Sequence, residues 1–425
     1  MNSVDIRHGD CLEVLRELPD NSVDSVVCDP PYGLSNTKPQ QVADVLAAWV
    51  TGETEAVPAT KGGFMGKDWD SFVPPPAVWE ECLRVLKPGG HMAVFAGART
   101  QDLMGLSIRL AGFEIRDTLG WIYGSGFPKS MDVSKAIDKA AGAEREVVSE
   151  RPAYGIGGNG ILSGHAEGAT TKVTAPATPE AVKWDGWGTA LKPAIEPIIL
   201  ARKPLDGTVA QNVLAHGVGG LNIDASRVPT TDRWEASGVQ SAPGSSLQGS
   251  ADGSLNVSVS STHEAGRFPA NVLLDEHAAK EMDKQSGQAG AHGESRGGGT
   301  RGMLGWQSDN RQTTNVGVGG ASRFFPVFKY QAKAPKKERP VIEREDGSKI
   351  QHPTVKPVAL MEWLVTLTTP EGGLVLDPFA GTGTTLQAAR NKGFRAIGVE
   401  QDADYIQLIN ARLENNEENL FTTIN

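Results

Sequence analysis

Four consecutive residues near the start of the chain, Asp29, Pro30, Pro31 and Tyr32, could hold an amino group for reaction. The exocyclic amine of a nucleobase is a poor nucleophile because its lone pair is delocalised into the ring. Asp29 could accept one N–H and the carbonyl of Pro30 the other, which favours a more tetrahedral nitrogen with an available lone pair. The prolines would fix that carbonyl, and Tyr32 offers a ring face for stacking. The four residues predict an amine clamp, although a proline-rich turn after a strand would look the same.

A glycine-rich turn near the other end of the chain could hold a nucleoside cofactor. It runs from Asp377 to Thr385 and reads Asp-Pro-Phe-Ala-Gly-Thr-Gly-Thr-Thr, between a predicted strand and a predicted helix. Gly381 and Gly383 would let the backbone approach a ligand closely. Glu400, at the end of the next predicted strand, could accept hydrogen bonds from ribose hydroxyls. A lone Gly-x-Gly is more typical of a structural turn, but the longer pattern predicts a cofactor site.

The residues around this turn favour S-adenosylmethionine over other cofactors. A dinucleotide site would have a third glycine at the start of the helix, where this chain has Thr384 and Thr385. Asp377 would repel a pyrophosphate, but it could accept a hydrogen bond from the ammonium of an amino-acid tail. No Gly-Lys-Ser/Thr follows, which excludes a P-loop. An adenosine that carries an amino acid fits these constraints.

The elements that must position the two sites alternate between strands and helices. Strands are predicted at 4–7, 22–28, 91–95, 114–123, 196–201, 374–377 and 394–400, and helices at 11–18, 79–86, 101–111, 357–368, 384–392 and 402–414. This alternation indicates an α/β domain with a mostly parallel sheet. The segments 149–190, 236–262 and 287–320 are rich in glycine and small or polar residues and are predicted to be loops.

The composition is that of an ordinary globular protein of 425 residues, 39% hydrophobic and 22% charged, with a net charge of −10. The length suffices for two domains or for one domain with a large insertion. No apolar stretch is long enough to span a bilayer, and the first residues lack the pattern of a signal peptide. The three cysteines (Cys11, Cys28 and Cys82) lack metal-ligand spacing and suit a reducing compartment. We therefore expect a cytoplasmic protein without a metal site.

The chain resembles the DNA amino-methyltransferases, which modify adenine N6 or cytosine N4. Residues 29–32 resemble the catalytic motif of that family, and residues 377–385 resemble its S-adenosylmethionine motif. The catalytic motif comes first and the cofactor motif last, as in the permuted group called beta. The resemblance covers residues 1–135, about 185–205 and 325–425. It implies a Rossmann-like, mostly parallel, seven-stranded, circularly permuted methyltransferase sheet with an inserted irregular target-recognition region.

The same resemblance assigns further residues to the cofactor site. These are Asp10, Cys11, His352, Thr354, Lys356, Asp377, Phe379, Gly381, Gly383, Thr384 and Glu400. Residues 9–11 match the strand end that touches the adenine of the cofactor, and residues 352–357 match a segment that helps to hold its methionine end. Residues 192–197 lead into the antiparallel strand typical of this sheet. Because the strand at 4–7 would follow the strand that ends at Glu400, both ends of the chain are expected on one sheet.

Other residues are candidates for contacts with DNA. A base in a duplex cannot reach such a clamp unless it is flipped out. We interpret the loop with Lys67 and Trp69 as a lid, and Trp121 and Phe127 match aromatic residues near the base pocket of related enzymes. An ordinary surface loop and core aromatic residues are the simpler alternatives. The residues Arg323, Lys329, Lys333 and Lys336 belong to a basic run interleaved with aromatic residues, which could bind phosphates or be merely solvated.

We expect residues 1–205 to form the first part of the catalytic domain, with a glycine-rich excursion near 149–190. Residues 206–325 would be the target-recognition insertion, and residues 326–425 would complete the catalytic domain. The leading interpretation is a site-specific adenine N6-methyltransferase acting on duplex DNA. The adenine enzymes of the family usually have Asp, and not Ser, at the position of Asp29. Cytosine N4 methylation by the same mechanism is the first alternative.

Three further alternatives differ in substrate or in class. The protein could methylate RNA or a protein glutamine amide, although a large insertion suits duplex DNA better. A Rossmann-type oxidoreductase lacks support because the third glycine is absent, and a non-catalytic DNA-binding module would not need Asp29 and Tyr32. The expected partner is double-stranded DNA, without a membrane. No nuclease motif is visible, so a restriction endonuclease would be a separate protein, and a homodimer stays open.

Overall fold

The computed structural model describes residues 3–35, 37–58, 70–124, 126, 130–152, 170–230, 234–236, 266–287, 313–315, 319–328, 340–344, 346–352 and 354–421. The strands are β1 (Val4–His8), β2 (Val23–Cys28), β3 (Leu86–Phe95), β4 (Glu114–Ile122), β5 (Val147–Pro152), β6 (Thr170–Thr174), β7 (Ile195–Arg202), β8 (Trp234–Ala236), β9 (Val272–Asp275), β10 (Thr313–Asn315), β11 (Val327–Phe328), β12 (Ile342–Glu343), β13 (Lys349–Ile350), β14 (Leu374–Asp377) and β15 (Arg395–Glu400). The helices are α1 (Cys11–Glu17), α2 (Pro39–Val50), α3 (Pro76–Val85), α4 (Gln101–Leu110), α5 (Val133–Ala140), α6 (Pro179–Lys183), α7 (Val209–His216), α8 (Glu276–Ser286), α9 (Val358–Thr368), α10 (Thr384–Asn391) and α11 (Ala403–Phe421).

The main sheet is mostly parallel, which confirms the predicted α/β fold. Its strands lie in the order β1-β15-β14-β2-β3-β7-β4-β9-β11. Strand β7 runs antiparallel to both of its neighbours, and every other neighbouring pair in this sheet is parallel. The antiparallel strand expected after residues 192–197 is therefore β7.

The sheet has nine strands where seven were expected. Beyond β4, strand β9 continues the sheet through the pair Gly120 and Val272, and β11 continues it through the pair Val327 and Leu274. Strand β9 lies within residues 206–325, which were expected to form the target-recognition insertion. Part of that segment therefore belongs to the sheet.

The first and last strands of the sheet-forming chain pair with each other, as the permuted order predicted. Strand β1 lies parallel to β15 from the pair Val4 and Ala396 to the pair His8 and Glu400. The first and last strands along the chain, β1 and β15, are therefore neighbours at one edge of the same sheet.

The central strands are buried because helices cover both faces of the sheet. Every residue of β2 is buried, and its side chains alternate between the two faces. Val26 packs into a core formed with α1 to α4, whereas Val27 packs into a second core formed with α9, α10 and α11. Both cores hold the carboxyl ends of β2 and β14 in place.

Several elements differ from the sequence prediction, and among them β6 and α6 lie within residues 149–190, which were predicted to be loops. Helix α2 was not predicted, and β3 begins at Leu86, so Pro88, Gly89 and Gly90 lie inside a strand and not in a turn. Contacts from residues distant in the sequence explain why β3 includes residues 88–90. The side chain of Asn212 donates to the Pro88 carbonyl over 2.8 Å, and the Gly89 N–H donates to the Pro204 carbonyl.

A second compact unit comprises Ser125–Ala194, and the rest of the chain forms the first unit. The second unit contains α5, α6 and the antiparallel pair of β5 and β6. Inside it, the buried Asp138 carboxylate accepts from Arg145 over 2.7 Å and from the backbone N–H of Thr178 over 3.0 Å. This unit contains residues 149–190, where a glycine-rich excursion was expected, and the predicted domain bounds at 205 and 325 stay a prediction. Among the described residues, no helix is both long and apolar enough to cross a membrane.

Candidate active site

The amine-clamp residues follow directly on the buried strand β2, and neighbouring side chains fix their loop. The Thr100 hydroxyl donates to the Tyr32 carbonyl over 2.6 Å, and the Gly33 N–H donates to the buried Asp70 carboxylate over 2.9 Å. Gly33 has a φ of +66°, and a Cβ there would lie 2.7 Å from the Val73 nitrogen. The loop therefore requires glycine immediately after the Asp-Pro-Pro-Tyr motif.

Both carboxylate oxygens of Asp29 are engaged by side-chain donors. The Tyr32 hydroxyl donates to Oδ1 over 2.8 Å, and the Lys356 ammonium donates to Oδ2 over 2.5 Å. Asp29 thus already holds N–H and O–H donors. The Pro30 carbonyl next to it accepts no hydrogen bond from the described residues.

Glu196, the second residue of β7, belongs to the same cluster. Its Oε2 lies 3.3 Å from the Lys356 ammonium and 3.3 Å from the Tyr32 hydroxyl. Burial alone would lower the pKa of Lys356, but the Asp29 and Glu196 carboxylates outweigh it and hold that pKa above its ordinary value. Burial, Asp29 and Glu196 together raise the pKa of the Tyr32 hydroxyl, which therefore keeps its proton.

The glycine-rich turn predicted to hold the cofactor, called the cradle below, lies between β14 and α10. Gly381 and Gly383 have φ values of +54° and +73°, in the left-handed region that favours glycine. Gly383 also caps the start of α10, and a Cβ there would lie 2.8 Å from Cγ2 of Ile409. The predicted Thr384 opens the helix and is buried. Gly381 thus leaves backbone surface that a ligand can approach, whereas the missing side chain of Gly383 makes room for Ile409 of α11.

Asp377 ends β14 and is 2% exposed. Its Oδ1 accepts from the Phe379 N–H over 3.0 Å. Burial raises the pKa of this carboxyl to about 7, and the nearby charges of Asp29 and Glu400 contribute. The ring of Phe379 packs against Trp79, with 6.0 Å between the ring centroids. The acid at the start of the turn is thus poised to ionise when a cation approaches.

Glu400 ends β15 and fastens the glycine turn. Its Oε2 accepts from the Gly381 N–H and its Oε1 from the Asp402 N–H, each over 2.8 Å. Burial raises its pKa. Each oxygen retains a lone pair, so the carboxylate can still accept from ligand hydroxyls.

The predicted Asp10 and Cys11 lie beside Glu400. The Gly9 N–H donates to the Glu400 carbonyl over 3.1 Å, which brings the end of β1 to the cradle. Asp10 caps α1 by accepting from the Leu12 N–H over 2.9 Å. Burial raises the pKa of Cys11 to about 12, so this side chain is a thiol at neutral pH. These two residues therefore border the predicted adenine end of the site.

The segment with His352 and Thr354 also reaches the cradle. The His352 ring packs edge to face on Tyr405, with centroids 4.7 Å apart, and its Nε2 is 3.7 Å from where a Cβ on Gly381 would lie. The Thr354 N–H donates to Nδ1 of His352 over 3.2 Å. Lys356, which was expected near the methionine end of a cofactor, places its ammonium on Asp29, and its cofactor role stays a prediction.

The strand register brings the clamp and the cradle to one edge of the sheet. Strands β2 and β14 are adjacent and parallel, with Val26 opposite Leu376. Asp29 and Asp377 therefore follow the carboxyl ends of neighbouring strands, where α/β proteins bind their ligands.

Of the remaining predicted residues, the structure describes Trp121 and Arg323. Trp121 was predicted near a base pocket but is 1% exposed and packs on Phe328 in the core, with centroids 5.9 Å apart, so it presents no free ring face. Arg323 lies over the Phe324 ring and is far from either motif in the sequence. Lys67, Trp69, Phe127, Lys329, Lys333 and Lys336 lie outside the described residues.

Sequence reasoning missed Glu196 and Arg412. Glu196 is the acid that precedes the buried part of β7, and a charge at the start of an apolar strand was the available signal. Arg412 interrupts the apolar stripe of α11 and is 5% exposed. It donates to the Thr382 carbonyl over 2.7 Å and to the Gln387 side chain over 2.8 Å, and so supports the turn from below. Among the described residues, no group of three or more His, Cys, Asp or Glu could hold a metal ion.

Comparisons with known proteins fit this geometry. The family model N6_N4_Mtase, described as a DNA methylase, matches residues 23–411. The chain is similar to the type II methyltransferase M2.DpnII of Streptococcus pneumoniae, with 43% identity over 64 residues, and to the type II methyltransferase M.ScaI of Streptomyces caespitosus, with 35% identity over 79 residues. These matches cover 15% and 19% of this chain.

The chain spans about a quarter of the length of these two relatives, 24% and 26%. Among solved structures, the cytosine-N4-specific PvuII DNA methyltransferase is similar over 96% of this chain and 86% of that one. Its sequence identity is 13% and its TM-score is 0.40, and we draw nothing further from a likeness that low.

Proposed function

Because the chain belongs to the N6/N4 family of DNA methylases, whose model spans residues 23–411, we propose that it is a site-specific adenine N6-methyltransferase of duplex DNA. The methyl donor would be S-adenosylmethionine. One observation carries the proposal: the Asp29 clamp and the Asp377 turn follow the carboxyl ends of the adjacent parallel strands β2 and β14. An amine held by the first would lie beside a ligand held by the second.

The residues of the cradle suit S-adenosylmethionine, which supplies an electrophilic methyl group on a sulfonium when it is bound. Asp377 would accept from the ammonium of the methionine part, since its buried carboxyl has no cationic partner among the described residues. Glu400 would accept from the ribose hydroxyls with the lone pairs that Gly381 and Asp402 leave free. The absence of a Cβ at Gly381 would give the ligand access to the backbone, since the nearest atom other than those of its chain neighbours would lie 3.7 Å from that Cβ.

The clamp residues would orient the target amine. Asp29 would accept one N–H of the amine and the carbonyl of Pro30 the other, which turns the nitrogen lone pair away from the base ring. The half-buried ring of Tyr32 would stack with the base. Fixed acceptors in a partly buried site cost little reorganisation when positive charge develops on the nitrogen. After methyl transfer, the nitrogen carries one proton too many. Asp29, which accepts a hydrogen bond from that nitrogen, would take up the proton.

The choice of adenine rests on Asp at position 29, and cytosine N4 is the competing product. A flipped base is required because a paired amine is not accessible to the clamp. Arg323, with Lys329, Lys333 and Lys336, remains our proposed phosphate contact, and the loop with Lys67 and Trp69 our proposed lid. Because no nuclease motif is visible in the sequence, a restriction endonuclease, where one exists, would be a separate protein.

The test is methyl transfer to DNA by the purified protein. The protein is incubated with unmethylated plasmid DNA and S-adenosylmethionine, and the digested nucleosides are analysed by mass spectrometry. We expect N6-methyladenine with the wild type and none with Asp29→Ala. Asp102→Asn, which removes an exposed acid from α4, is the matched control and should retain activity. N4-methylcytosine would transfer the proposal to the other base, and methyl incorporation only into RNA or protein would refute it.

A further inference from the structure

Both oxygens of Asp29 already accept hydrogen bonds, yet the proposed reaction requires one of them for the target amine. Resting on the proposed function, we propose that Lys356 is a positioning residue that occupies the amine site on Asp29 until a base arrives, and that Glu196 then receives its ammonium. The exchange makes and breaks only hydrogen bonds, and no proton is transferred between the groups.

The donor count of Lys356 supports this exchange. An ammonium has three N–H groups, and three acceptors surround Nζ: Asp29 Oδ2 at 2.5 Å, the Tyr32 hydroxyl at 3.0 Å and Glu196 Oε2 at 3.3 Å. Only the contact with Asp29 is short. The contact with Glu196 is longer than a strong charge-assisted hydrogen bond, so it can tighten when the contact with Asp29 is given up.

Lys356 is better able to move than the other donor on Asp29. Tyr32 belongs to the same loop as Asp29, and Thr100 holds its carbonyl over 2.6 Å. Lys356 lies in the segment before α9 and carries its charge on a flexible chain of four carbons. An arriving amine would therefore displace the ammonium and leave the Tyr32 hydroxyl on Oδ1.

Glu196 is suited to receive the displaced cation. The Lys356 side chain is 11% exposed, so an ammonium that lost Asp29 without another carboxylate would be a poorly solvated charge. Glu196 is 26% exposed and lies on β7, whose pairing with β4 fixes its backbone. Its Oε1 accepts no hydrogen bond from the described residues. The cluster keeps the same total charge before and after the exchange.

The exchange makes a specific prediction about two substitutions. Glu196→Gln removes the receiving charge, so Lys356 should stay on Asp29 and compete with the target amine. Lys356→Met removes the competitor, so the double variant should recover much of what Glu196→Gln loses. A merely structural role for Glu196 predicts no such recovery.

The decisive readout compares two DNA duplexes that differ by one amino group. One carries adenine at the methylated position and the other carries purine, which lacks the 6-amine, and binding is measured with S-adenosylhomocysteine so that no transfer occurs. We expect the wild type to prefer the amine about tenfold or more, as for a hydrogen bond to a charged group. The preference should fall towards one in Glu196→Gln and return in Glu196→Gln/Lys356→Met.

The exchange would be overturned if the double variant, like Glu196→Gln, bound the adenine duplex and the purine duplex equally well. Glu196→Asp keeps a carboxylate and should retain part of the preference for the amine. This variant keeps the test decisive if Glu196→Gln unfolds at a lower temperature than the wild type. Glu114→Gln removes a carboxylate that pairs with Arg202 in the same sheet and should behave as the wild type. Transfer assays separate the two proposals: a wild type that methylates no DNA refutes the proposed function, whereas an active wild type without recovery refutes the exchange alone.

Discussion

Asp377 lies one strand away from Asp29, and the charge of Asp29 adds to the burial that raises the pKa of Asp377 to about 7. Below that pH the carboxyl is protonated and cannot pair with a cationic ligand. We therefore expect the affinity for S-adenosylmethionine to fall by about tenfold for each pH unit below 7 and to be constant just above it. Titration calorimetry between pH 5 and 8 measures this, and Asp377→Asn should bind weakly at every pH without the slope.

The same carboxyl should affect the stability of the ligand-free protein. Its ordinary pKa is 3.8 and its folded pKa is about 7, so the folded state binds the proton more tightly. Between these two values the stabilising proton is lost as the pH rises, and the free energy of unfolding should decrease by a few kcal/mol from this group. Urea unfolding of the wild type and of Asp377→Asn checks this. Equal pH profiles for the two proteins would show that the pKa of Asp377 is not raised.

The sequence predicted those parts of the site whose residues belong to short continuous motifs. Asp29 and Asp377 follow apolar strands, and parallel strands of an α/β sheet end at one edge, so their proximity could be inferred. Glu196 and Arg412 could not be inferred in this way, because each acts on a loop that is distant in sequence. The identity of their partners depends on strand and helix packing, which no local pattern encodes.

The limits of the fold prediction have the same physical origin. The strands β14 and β15 are short, mostly buried runs joined by a glycine turn and α10, and they were predicted closely. Strands β9 and β11 were not assigned to the sheet, since short strands at an edge resemble other short apolar segments. Trp121 was assigned to a pocket because sequence position does not report burial, and packing against Phe328 decides its role.

Glu400 should matter for both the cofactor and the turn. In Glu400→Gln one amide N–H would face a backbone N–H of Gly381 or Asp402, both of which now donate to the carboxylate. We expect the affinity for S-adenosylmethionine to fall by about tenfold to a hundredfold and the free energy of unfolding by about 1–3 kcal/mol. Calorimetry and urea unfolding measure the two effects. Glu371→Gln, an exposed change just before β14, is the control, and an unchanged affinity in Glu400→Gln would refute the ribose assignment.

Arg412 should stabilise the glycine turn although it is far from the clamp. Arg412→Met would leave the Thr382 carbonyl and the Gln387 side chain without a buried cationic donor. We expect a loss of about 3 kcal/mol in the free energy of unfolding, together with weaker cofactor binding. Arg16→Met removes an exposed arginine that pairs with Glu55 and should change neither quantity. Equal stabilities of the two variants would show that Arg412 does not hold the turn.

Gly383 tests whether the turn needs glycine for its backbone angle or for the space beside it. Gly383→Ala would place a side chain at a φ of +73°, and its Cβ would lie 2.8 Å from Cγ2 of Ile409. Gly372→Ala is the matched control, because Gly372 has a φ of +68° and no atom within 4 Å of its added Cβ. The left-handed angle alone should cost about 1 kcal/mol at either position. We expect Gly383→Ala to lose at least about 1 kcal/mol more than the control in urea unfolding, since α11 must shift to accommodate the methyl group. Equal losses would mean that the backbone angle alone explains the glycine, and that Ile409 does not limit the shape of the cradle.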